Sequence, residues 1–305
     1  MNWKNSILLL VICWSCQNNN VKAITETDVD YLIEATELKS IINNSNIKLL
    51  DFRKKEDYDN GHIAGALNIS RSDIEDKNYP YGGMMASRIQ MEDLLGKLGI
   101  SNRDTIIIYD DNGMCEAARF WWILQNYNYN KVRMLNGGIV DWINNNGKIT
   151  TTIPEITKTN FRLNSKPKLK YYVSKNQVFK ALKPKTVIID TRNSDEFSGK
   201  YKKKGAEKPG RIPNSINIDW ANNINYHGNK RLKSIKELES IYNKLNIKKT
   251  DSIILYCHSG VRSANTTFVL TQLLGYKNVM NYDGSWTEWS QYDELPFEND
   301  FHPIN

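Results

Sequence analysis

The chain has 305 residues, of which 40% are hydrophobic and 25% are charged. These proportions are typical of a soluble globular protein, and the length suggests two domains of ordinary size. The net charge is +7, but the lysines are scattered rather than gathered in a stripe, so the sequence does not indicate a nucleic-acid partner. The densest basic cluster, Lys202–Lys204, is interpreted as part of a solvated loop.

The first 22 residues differ in character from the rest of the chain. MNWKNSILLLVICWSCQNNN has one lysine, a short apolar run and a polar tail. The run is too short to span a bilayer and fits the central segment of a secretory signal. Ser15 and Cys16 look like the cleavage site of a bacterial lipoprotein, although Cys13 stands where a leucine is usual. We expect residues 1–22 to be a leader and tether, with Cys16 lipidated and the protein on the periplasmic face of a bacterial membrane.

The remaining sequence repeats itself in four blocks that keep their order. Each block pairs an early segment with a later one: LLDFRKKEDY (49–58) with IIDTRNSDEF (188–197), GHIAGALNIS (61–70) with GRIPNSINID (210–219), IIIYDDNGMC (106–115) with IILYCHSGVR (253–262), and LNGGIVDW (135–142) with YDGSWTEW (282–289). An insertion around residues 199–209 lengthens the second half. Ordered self-similarity of this kind indicates a tandem duplication.

Short β-like runs alternate with helical ones in each half. In the first half, the patterns predict strands at Lys48–Phe52, Thr105–Tyr109 and Val132–Leu135, and helices at Gln90–Leu98 and Glu116–Asn126. The alternation predicts α/β domains, each with a mostly parallel sheet flanked by helices and with ligands beyond the carboxyl ends of the strands. A segment rich in Thr, Lys and Pro predicts a linker at 151–166, between domains at 23–150 and 167–305.

The segment SIILYCHSGVRS (252–263) carries the strongest chemical signal. Ser252–Tyr256 is predicted as a buried strand and Ser263–Leu274 as an amphipathic helix, which places Cys257 at the mouth between them. The unpaired amides of a helix N-terminus favour an anion, and Arg262 is near, so the thiol pKa should be lowered. Cys115 and Cys257 form neither a disulfide framework nor a CxxC metal site, and we expect no metal or cofactor.

Together these blocks resemble the tandem-domain rhodanese family of sulfurtransferases, from about residue 25 to residue 298. The marks are DFR and DTR, GHIAGA, the Trp pair before NGG, and CHSGVRS followed by DGSWTEW. The resemblance implies two rhodanese-like domains and a loop whose backbone amides surround a cysteine persulfide. A small-molecule sulfane-sulfur donor would load Cys257, and a thiophilic acceptor such as cyanide or a thiol would unload it.

The same resemblance implies that only the second domain is catalytic. Cys257 aligns with Asp110 in the first domain, and an aspartate cannot accept sulfur. Cys115 aligns instead with Arg262, so it is interpreted as a packing residue at a helix start. The first domain would then keep a structural role and form one wall of the active site.

The substrate-binding residues implied by the resemblance are His258, Ser259, Gly260, Val261, Arg262, Arg192 and His62. Gly260 is expected to allow a positive φ or a close approach to the anion. Arg262 either pins the loop through a carboxylate or attracts an anionic substrate. Each of the two histidines binds substrate or is an ordinary polar loop or turn residue. Arg192 binds substrate or pairs with an acid in its own domain.

The sequence leaves two candidates for the sulfur donor. Ser259 stands where mercaptopyruvate-specific relatives carry serine. Glu196, however, stands where the vertebrate enzymes carry a substrate-binding arginine, and Arg211 replaces the second domain's own histidine. We therefore predict thiosulfate as the donor, with 3-mercaptopyruvate as the alternative.

Three other functions compete with sulfur transfer. A cysteine phosphatase or arsenate reductase also uses a Cys–Arg loop, but with one more residue between the two than the four of His258–Val261. The shorter loop suits a single sulfur atom better than a tetrahedral oxyanion. A non-catalytic module is disfavoured by the intact second loop. A redox enzyme is disfavoured because no resolving cysteine lies near Cys257 in the sequence.

Overall fold

A computed structural model describes residues 30–163, 166–182 and 185–301 of the chain. Within those ranges no helix combines the length and apolar character needed to cross a membrane. Cys16 and the predicted leader lie outside the described residues.

The first half forms a parallel five-stranded sheet flanked by helices. Its elements are β1 (Leu32–Ile33), α1 (Ala35–Ile41), β2 (Ile47–Asp51), α2 (Lys55–Asp59), β3 (His62–Ile63), β4 (Ala66–Asn68), a 3-10 turn (Arg71–Asp73), α3 (Arg88–Lys97), β5 (Thr105–Tyr109), α4 (Cys115–Asn126), β6 (Val132–Leu135), α5 (Gly138–Asn144) and β7 (Ile149–Thr150). The sheet order is β1-β6-β5-β2-β4, and β3 pairs separately and antiparallel with β7.

The second half repeats this arrangement. Its elements are β8 (Tyr172–Val173), α6 (Lys175–Lys180), β9 (Thr186–Asp190), α7 (Ser194–Ser198), β10 (Ile216–Asn217), a 3-10 turn (Trp220–Asn223), α8 (Ile235–Tyr242), a second 3-10 turn (Asn243–Leu245), β11 (Ser252–Tyr256), α9 (Arg262–Phe268), a π-helical turn (Val269–Leu273), β12 (Asn278–Tyr282) and α10 (Ser285–Trp289). The sheet order β10-β9-β11-β12-β8 is parallel throughout.

The two sheets have matching registers, which is the structural form of the sequence repeat. Leu50 pairs with Ile108 in the first sheet, and the corresponding Ile189 pairs with Leu255 in the second. Both central strands are buried apolar runs, as parallel strands covered on two faces require. The predicted α/β fold with two mostly parallel sheets is confirmed.

Helix α4 fills the space between the two domains. Its sequence is apolar on nearly every side, and all residues from Ala117 to Asn126 are buried. Such a helix needs partners on all faces. Trp121 packs edge-on against Phe268 of α9, with ring centroids 5.1 Å apart, and also contacts Tyr171 at 5.5 Å. One hydrophobic core therefore continues from the first domain into the second.

The predicted linker is not a free connection. Phe161 is fully buried and Leu163 nearly so, and both join the core that surrounds α4. The backbone N–H of Thr159 donates to the carbonyl of Gly96 at 2.9 Å. The Thr/Lys/Pro-rich composition concealed this packing, because the two apolar side chains are separated by polar residues.

Candidate active site

Cys257 lies directly after β11, at the carboxyl edge of the second sheet, and is 1% exposed. The loop that follows leads into α9, which begins at Arg262. Gly260, within the loop, has φ +72°. A Cβ there would lie 2.5 Å from the carbonyl oxygen of Asp283, so the loop needs glycine for both conformation and space.

The surroundings of the Cys257 sulfur favour a thiolate. Burial alone raises the pKa of this thiol. The positive charge of Arg262, hydrogen bonds from the Ser263 hydroxyl and backbone N–H, and the backbone N–H of Ser259 act in the opposite direction, and the net pKa lies below the ordinary value. The Ser263 hydroxyl is buried and has no nitrogen or oxygen partner among the described residues, so its hydrogen bond goes to the Cys257 sulfur.

Arg262 is held by Glu196 on α7 through two parallel hydrogen bonds. Nη1 lies 2.6 Å from Oε2 and Nη2 lies 2.8 Å from Oε1. Glu196 is 2% exposed at its side chain. Burial raises the pKa of this carboxyl, but its hydrogen bond and ion pair with Arg262 lower it further, so the net shift is downward. The geometry matches the first of the two predicted roles, in which Arg262 pins the loop through a carboxylate, while its charge still acts on Cys257.

His258 is locked by the segment 203–205 of the insertion. Its Nε2 lies 3.0 Å from the carbonyl oxygen of Lys204, which only accepts hydrogen bonds, so we assign the proton to Nε2. Its Nδ1 is buried without a partner in the described ranges. Burial, followed by the charge of Lys203, lowers the pKa of His258 to about 4, and the ring is neutral near pH 7. The predicted binding role for His258 stays a proposal.

The segment after β12 holds the catalytic loop from the same domain. The Cys257 N–H donates to Ser285 Oγ at 3.1 Å, and the Trp286 N–H donates to the Cys257 carbonyl at 3.0 Å. Thr287 donates to the His258 carbonyl from its backbone N–H at 2.8 Å and from its hydroxyl at 2.6 Å. Ser285 has φ +51°, which is uncommon for a residue with a side chain. These contacts explain why DGSWTEW accompanies CHSGVRS.

The first domain covers the catalytic loop from the other side. Arg119 on α4 donates to the carbonyl of Gly83 at 2.7 Å and to Asp283 at 2.5 Å, and its Nη1 reaches the Gly260 carbonyl at 3.5 Å. Gly83 packs so closely on Ser259 that a Cβ on the glycine would lie 2.6 Å from the serine Cβ. Ser259 is half-buried beneath Gly83 of the first domain.

The equivalent loop of the first domain already contains an anion. Both carboxylate oxygens of Asp110 accept hydrogen bonds from backbone N–H groups of the loop, those of Asn112, Met114, Glu116 and Ala117, at 2.9–3.1 Å. Burial raises the pKa of Asp110 to about 6, and these amides counteract part of that rise, so the carboxyl is mostly ionised at neutral pH. The duplicated loop thus binds an anion, and in the first domain that anion is the carboxylate of Asp110.

Cys115 and Val261 belong to the packing between the domains. Both are buried in a small cluster with Trp220 and Ile224. Burial raises the pKa of Cys115 well above its ordinary value, which suits the packing role that the sequence predicted. Val261 is 2% exposed and packs within this cluster, and its predicted substrate-binding role stays a proposal.

His62 and Arg192 have the contacts of the second of the two roles predicted for each, a hydrogen-bonded turn histidine and an arginine paired with an acid of its own domain. His62 is fully buried in the first domain and stacks on Tyr58, with both ring nitrogens facing backbone carbonyls at 2.9 and 3.1 Å. Arg192 is 2% exposed and binds Asp190 and the carbonyl of Gly210. The ring nitrogens of His62 and the guanidinium of Arg192 are thus already hydrogen-bonded within the protein.

Several residues of the site were missed from the sequence. They are Ser263, Ser285 and Thr287 around the loop, Lys203 beside it, and Arg119 with Asp283 at the domain boundary. Ser263 could have been found, because it follows Arg262 at the predicted helix start, where a hydroxyl points back to the loop. The others depend on contacts across the fold. No group of three or more His, Cys, Asp or Glu side chains that could hold a metal occurs in the described ranges.

Comparison with known proteins agrees with this geometry. The rhodanese-like domain model matches residues 34–145 and 175–292. A protein of Mycobacterium leprae, provisionally named a thiosulfate sulfurtransferase, is 34% identical over 277 residues, covering 88% of this chain and 98% of that protein. SseA from Escherichia coli, described as a 3-mercaptopyruvate sulfotransferase, is similar with a TM-score of 0.74 and 26% identity, over 84% of this chain and 99% of that one.

A more distant structure shares the fold alone. It is the anaerobic ergothioneine biosynthesis enzyme from Chlorobium limicola, with a TM-score of 0.75 and 22% identity, over 88% of this chain and 70% of that one. Both halves of the present chain match the family model, and the curated relative is aligned over nearly its whole length. The chain therefore belongs to the rhodanese family and is a tandem-domain sulfurtransferase.

Proposed function

We propose that the protein moves sulfane sulfur from thiosulfate to cyanide or a thiol through a persulfide on Cys257. In the first step the Cys257 thiolate attacks the outer sulfur of thiosulfate, the S–S bond breaks, and sulfite leaves with the bonding electron pair. In the second step the acceptor attacks the terminal persulfide sulfur and the thiolate is regenerated. Each step begins and ends with a sulfur anion inside the same loop.

One observation carries this proposal: the loop around Cys257 is the duplicate of a loop that surrounds a carboxylate. In the first domain, backbone amides hold the Asp110 anion at 2.9–3.1 Å. In the second domain, a thiol with a lowered pKa stands at the same position and receives hydrogen bonds from Ser259 and Ser263. Donors that are already oriented toward a sulfur anion stabilise it without reorganising.

Thiosulfate is the donor that the site favours. Glu196 occupies the position where the vertebrate enzymes carry a carboxylate-binding arginine, and this weakens the case for 3-mercaptopyruvate. The Mycobacterium leprae relative is also named for thiosulfate. Ser259 and the similarity to SseA of Escherichia coli favour 3-mercaptopyruvate as the second candidate.

The two donors are separated by comparing initial rates of thiocyanate formation with cyanide as the acceptor. We expect a higher kcat/KM with thiosulfate than with 3-mercaptopyruvate. A clear preference for 3-mercaptopyruvate would overturn the assignment of the donor while leaving the persulfide intermediate intact. Aryl phosphate hydrolysis, measured beside these rates, should remain at background.

We also propose that the chain is exported and held at the periplasmic face of a membrane by lipid on Cys16. The support is the sequence of residues 1–22, in which the apolar run precedes Ser15 and Cys16. The full-length chain and Cys16→Ala should be expressed in a bacterium and fractionated. We expect the unsubstituted chain with the membranes and the variant without acyl chains. Recovery of both as unprocessed cytoplasmic protein would disprove this location.

A further inference from the structure

A lysine of the insertion in the second half lies beside the catalytic loop without a partner for its charge. Lys203 precedes Lys204, whose carbonyl binds His258 at 3.0 Å, and the Lys203 carbonyl accepts a hydrogen bond from Ala206 at 3.1 Å. The first contact joins the segment to the loop, and the second closes a turn within the segment. Within the ranges that the structure describes, the Lys203 ammonium takes part in no hydrogen bond or ion pair.

The ammonium of Lys203 interacts electrostatically with the charged groups of the active site. Partial burial of the ammonium and then the charge of Arg262 lower the pKa of Lys203, although the residue as a whole is exposed. Glu196 and Cys257 raise this pKa, and Arg71 of the first domain lowers it. Glu196 is already paired with Arg262, so it cannot neutralise Lys203 as well. The lysine is therefore a surplus positive charge close to the sulfur.

Arg71 approaches the same place from the first domain. It begins the 3-10 turn at Arg71–Asp73, and Glu116 binds it through two atoms: Nε lies 3.2 Å from Oε2, and Nη2 contacts Oε1. Its side chain remains 41% exposed despite this pair. Glu116 follows Cys115, which packs against Val261 of the catalytic loop. Arg71 is thus linked to the catalytic loop through Glu116 and its neighbour Cys115.

We propose that Lys203 and Arg71 bind the anionic sulfonyl end of thiosulfate between the two domains while its outer sulfur points at Cys257. This inference rests on the proposed function. The reaction brings a dianion to a thiolate and releases sulfite, another dianion, so it needs positive charge that the protein itself has not neutralised. Arg262 does not meet this need, because Glu196 binds it on both terminal nitrogens. Lys203 meets this need in full. Arg71 meets it in part, because its Nη1 makes no hydrogen bond or ion pair among the described residues.

The two half-reactions provide a test that a purely structural role would fail. For ping-pong kinetics, kcat/KM for thiosulfate reports loading and kcat/KM for cyanide reports unloading. Cyanide attacks as a small monoanion that lacks a sulfonyl group, whereas thiosulfate is a dianion, so unloading should depend on these cations much less than loading does. We expect Lys203→Met and Arg71→Met each to lower kcat/KM for thiosulfate about fivefold or more, from the loss of one charge near the surface. The value for cyanide should change less than about twofold.

Two further variants sharpen the measurement. Lys202→Met removes a neighbouring exposed lysine, whose ammonium lies 3.5 Å from the Glu207 carbonyl oxygen, and should leave both values unchanged. Glu116→Gln should raise kcat/KM for thiosulfate, because it frees the charge of Arg71. An increase in one variant and a decrease in another cannot come from general damage to the fold.

The outcomes separate this inference from the proposed function. Equal losses of both kcat/KM values in Lys203→Met, or no loss in either, would overturn the role of Lys203 as an anion ligand. The same results in Arg71→Met would overturn the role of Arg71. An unsubstituted chain that forms no persulfide with thiosulfate would instead refute the proposed function itself.

Discussion

Arg119 of the first domain and Asp283 of the second form an ion pair in which each side chain is only 2% exposed. The pair does more than join the domains. Arg119 also binds the carbonyl of Gly83, and the second oxygen of Asp283 accepts the N–H of Met85 at 3.1 Å. Through these contacts the domain without a nucleophile fixes the segment that covers the catalytic loop.

Removing Arg119 should destabilise the protein strongly. Arg119→Met leaves Asp283 buried without its counter-charge, and breaking a buried pair in this way costs about 3–5 kcal/mol. Urea unfolding should show the loss as a lower midpoint. The control is Lys97→Met, which breaks an exposed pair with Asp93 and should cost less than about 1 kcal/mol. Similar small losses in both variants would mean that the buried pair contributes little.

Arg262 should control the protonation of Cys257. Because its positive charge favours the thiolate, Arg262→Ala should raise the pKa of the thiol, so that less thiolate is present at neutral pH and the activity profile moves to higher pH. The thiolate is measured by its ultraviolet absorbance as a difference from Cys257→Ser. An unchanged titration in Arg262→Ala would contradict the electrostatic account of the site.

A lysine at position 262 separates charge from geometry. Arg262→Lys keeps the charge but cannot form the two parallel hydrogen bonds to Glu196. We expect the pKa of Cys257 to remain low while kcat falls, because the loop is no longer pinned. Full recovery of kcat in this variant would show that the bidentate pair is dispensable.

Ser263 should act on the sulfur alone. Ser263→Ala removes a hydrogen bond to a charged group, worth about 1.5–3 kcal/mol, so the pKa of Cys257 should rise and persulfide formation should slow by about tenfold or more. Stability should not fall, since this hydroxyl has no nitrogen or oxygen partner among the described residues. A variant that loses stability but keeps the titration of Cys257 would assign the hydroxyl to the fold instead.

The fold could be predicted from the sequence because its signals are local. The central strands of both sheets are short buried apolar runs, and β5, β6 and β11 have the predicted bounds. The internal repeat then gave the duplication and identified Cys257 and Asp110 as equivalent positions. The prediction of α4 also held, with a start one residue earlier at Cys115.

The partners of charged side chains could not be predicted in the same way. Arg119 and Asp283 are 164 positions apart, and nothing in the local pattern of either residue indicates the other. For His62 and Arg192 the sequence leaves a substrate-binding and a structural role open, and only the fold shows the buried backbone carbonyls and the Asp190 carboxylate that they contact. The role of Lys203 depends on how the insertion folds back onto His258, which composition does not specify.

The central claim is that Cys257 alone carries the transferred sulfur. The direct measurement is the mass of the intact protein and of its peptides after incubation with thiosulfate, without an acceptor, for the unsubstituted chain, Cys257→Ser and Cys115→Ser. We predict a gain of one sulfur atom on the peptide that contains Cys257, in the unsubstituted chain and in Cys115→Ser, and its loss when cyanide is added. Cys257→Ser should gain no sulfur and form no thiocyanate. Thiocyanate formation by Cys257→Ser, or sulfur carried on Cys115 instead, would contradict the account.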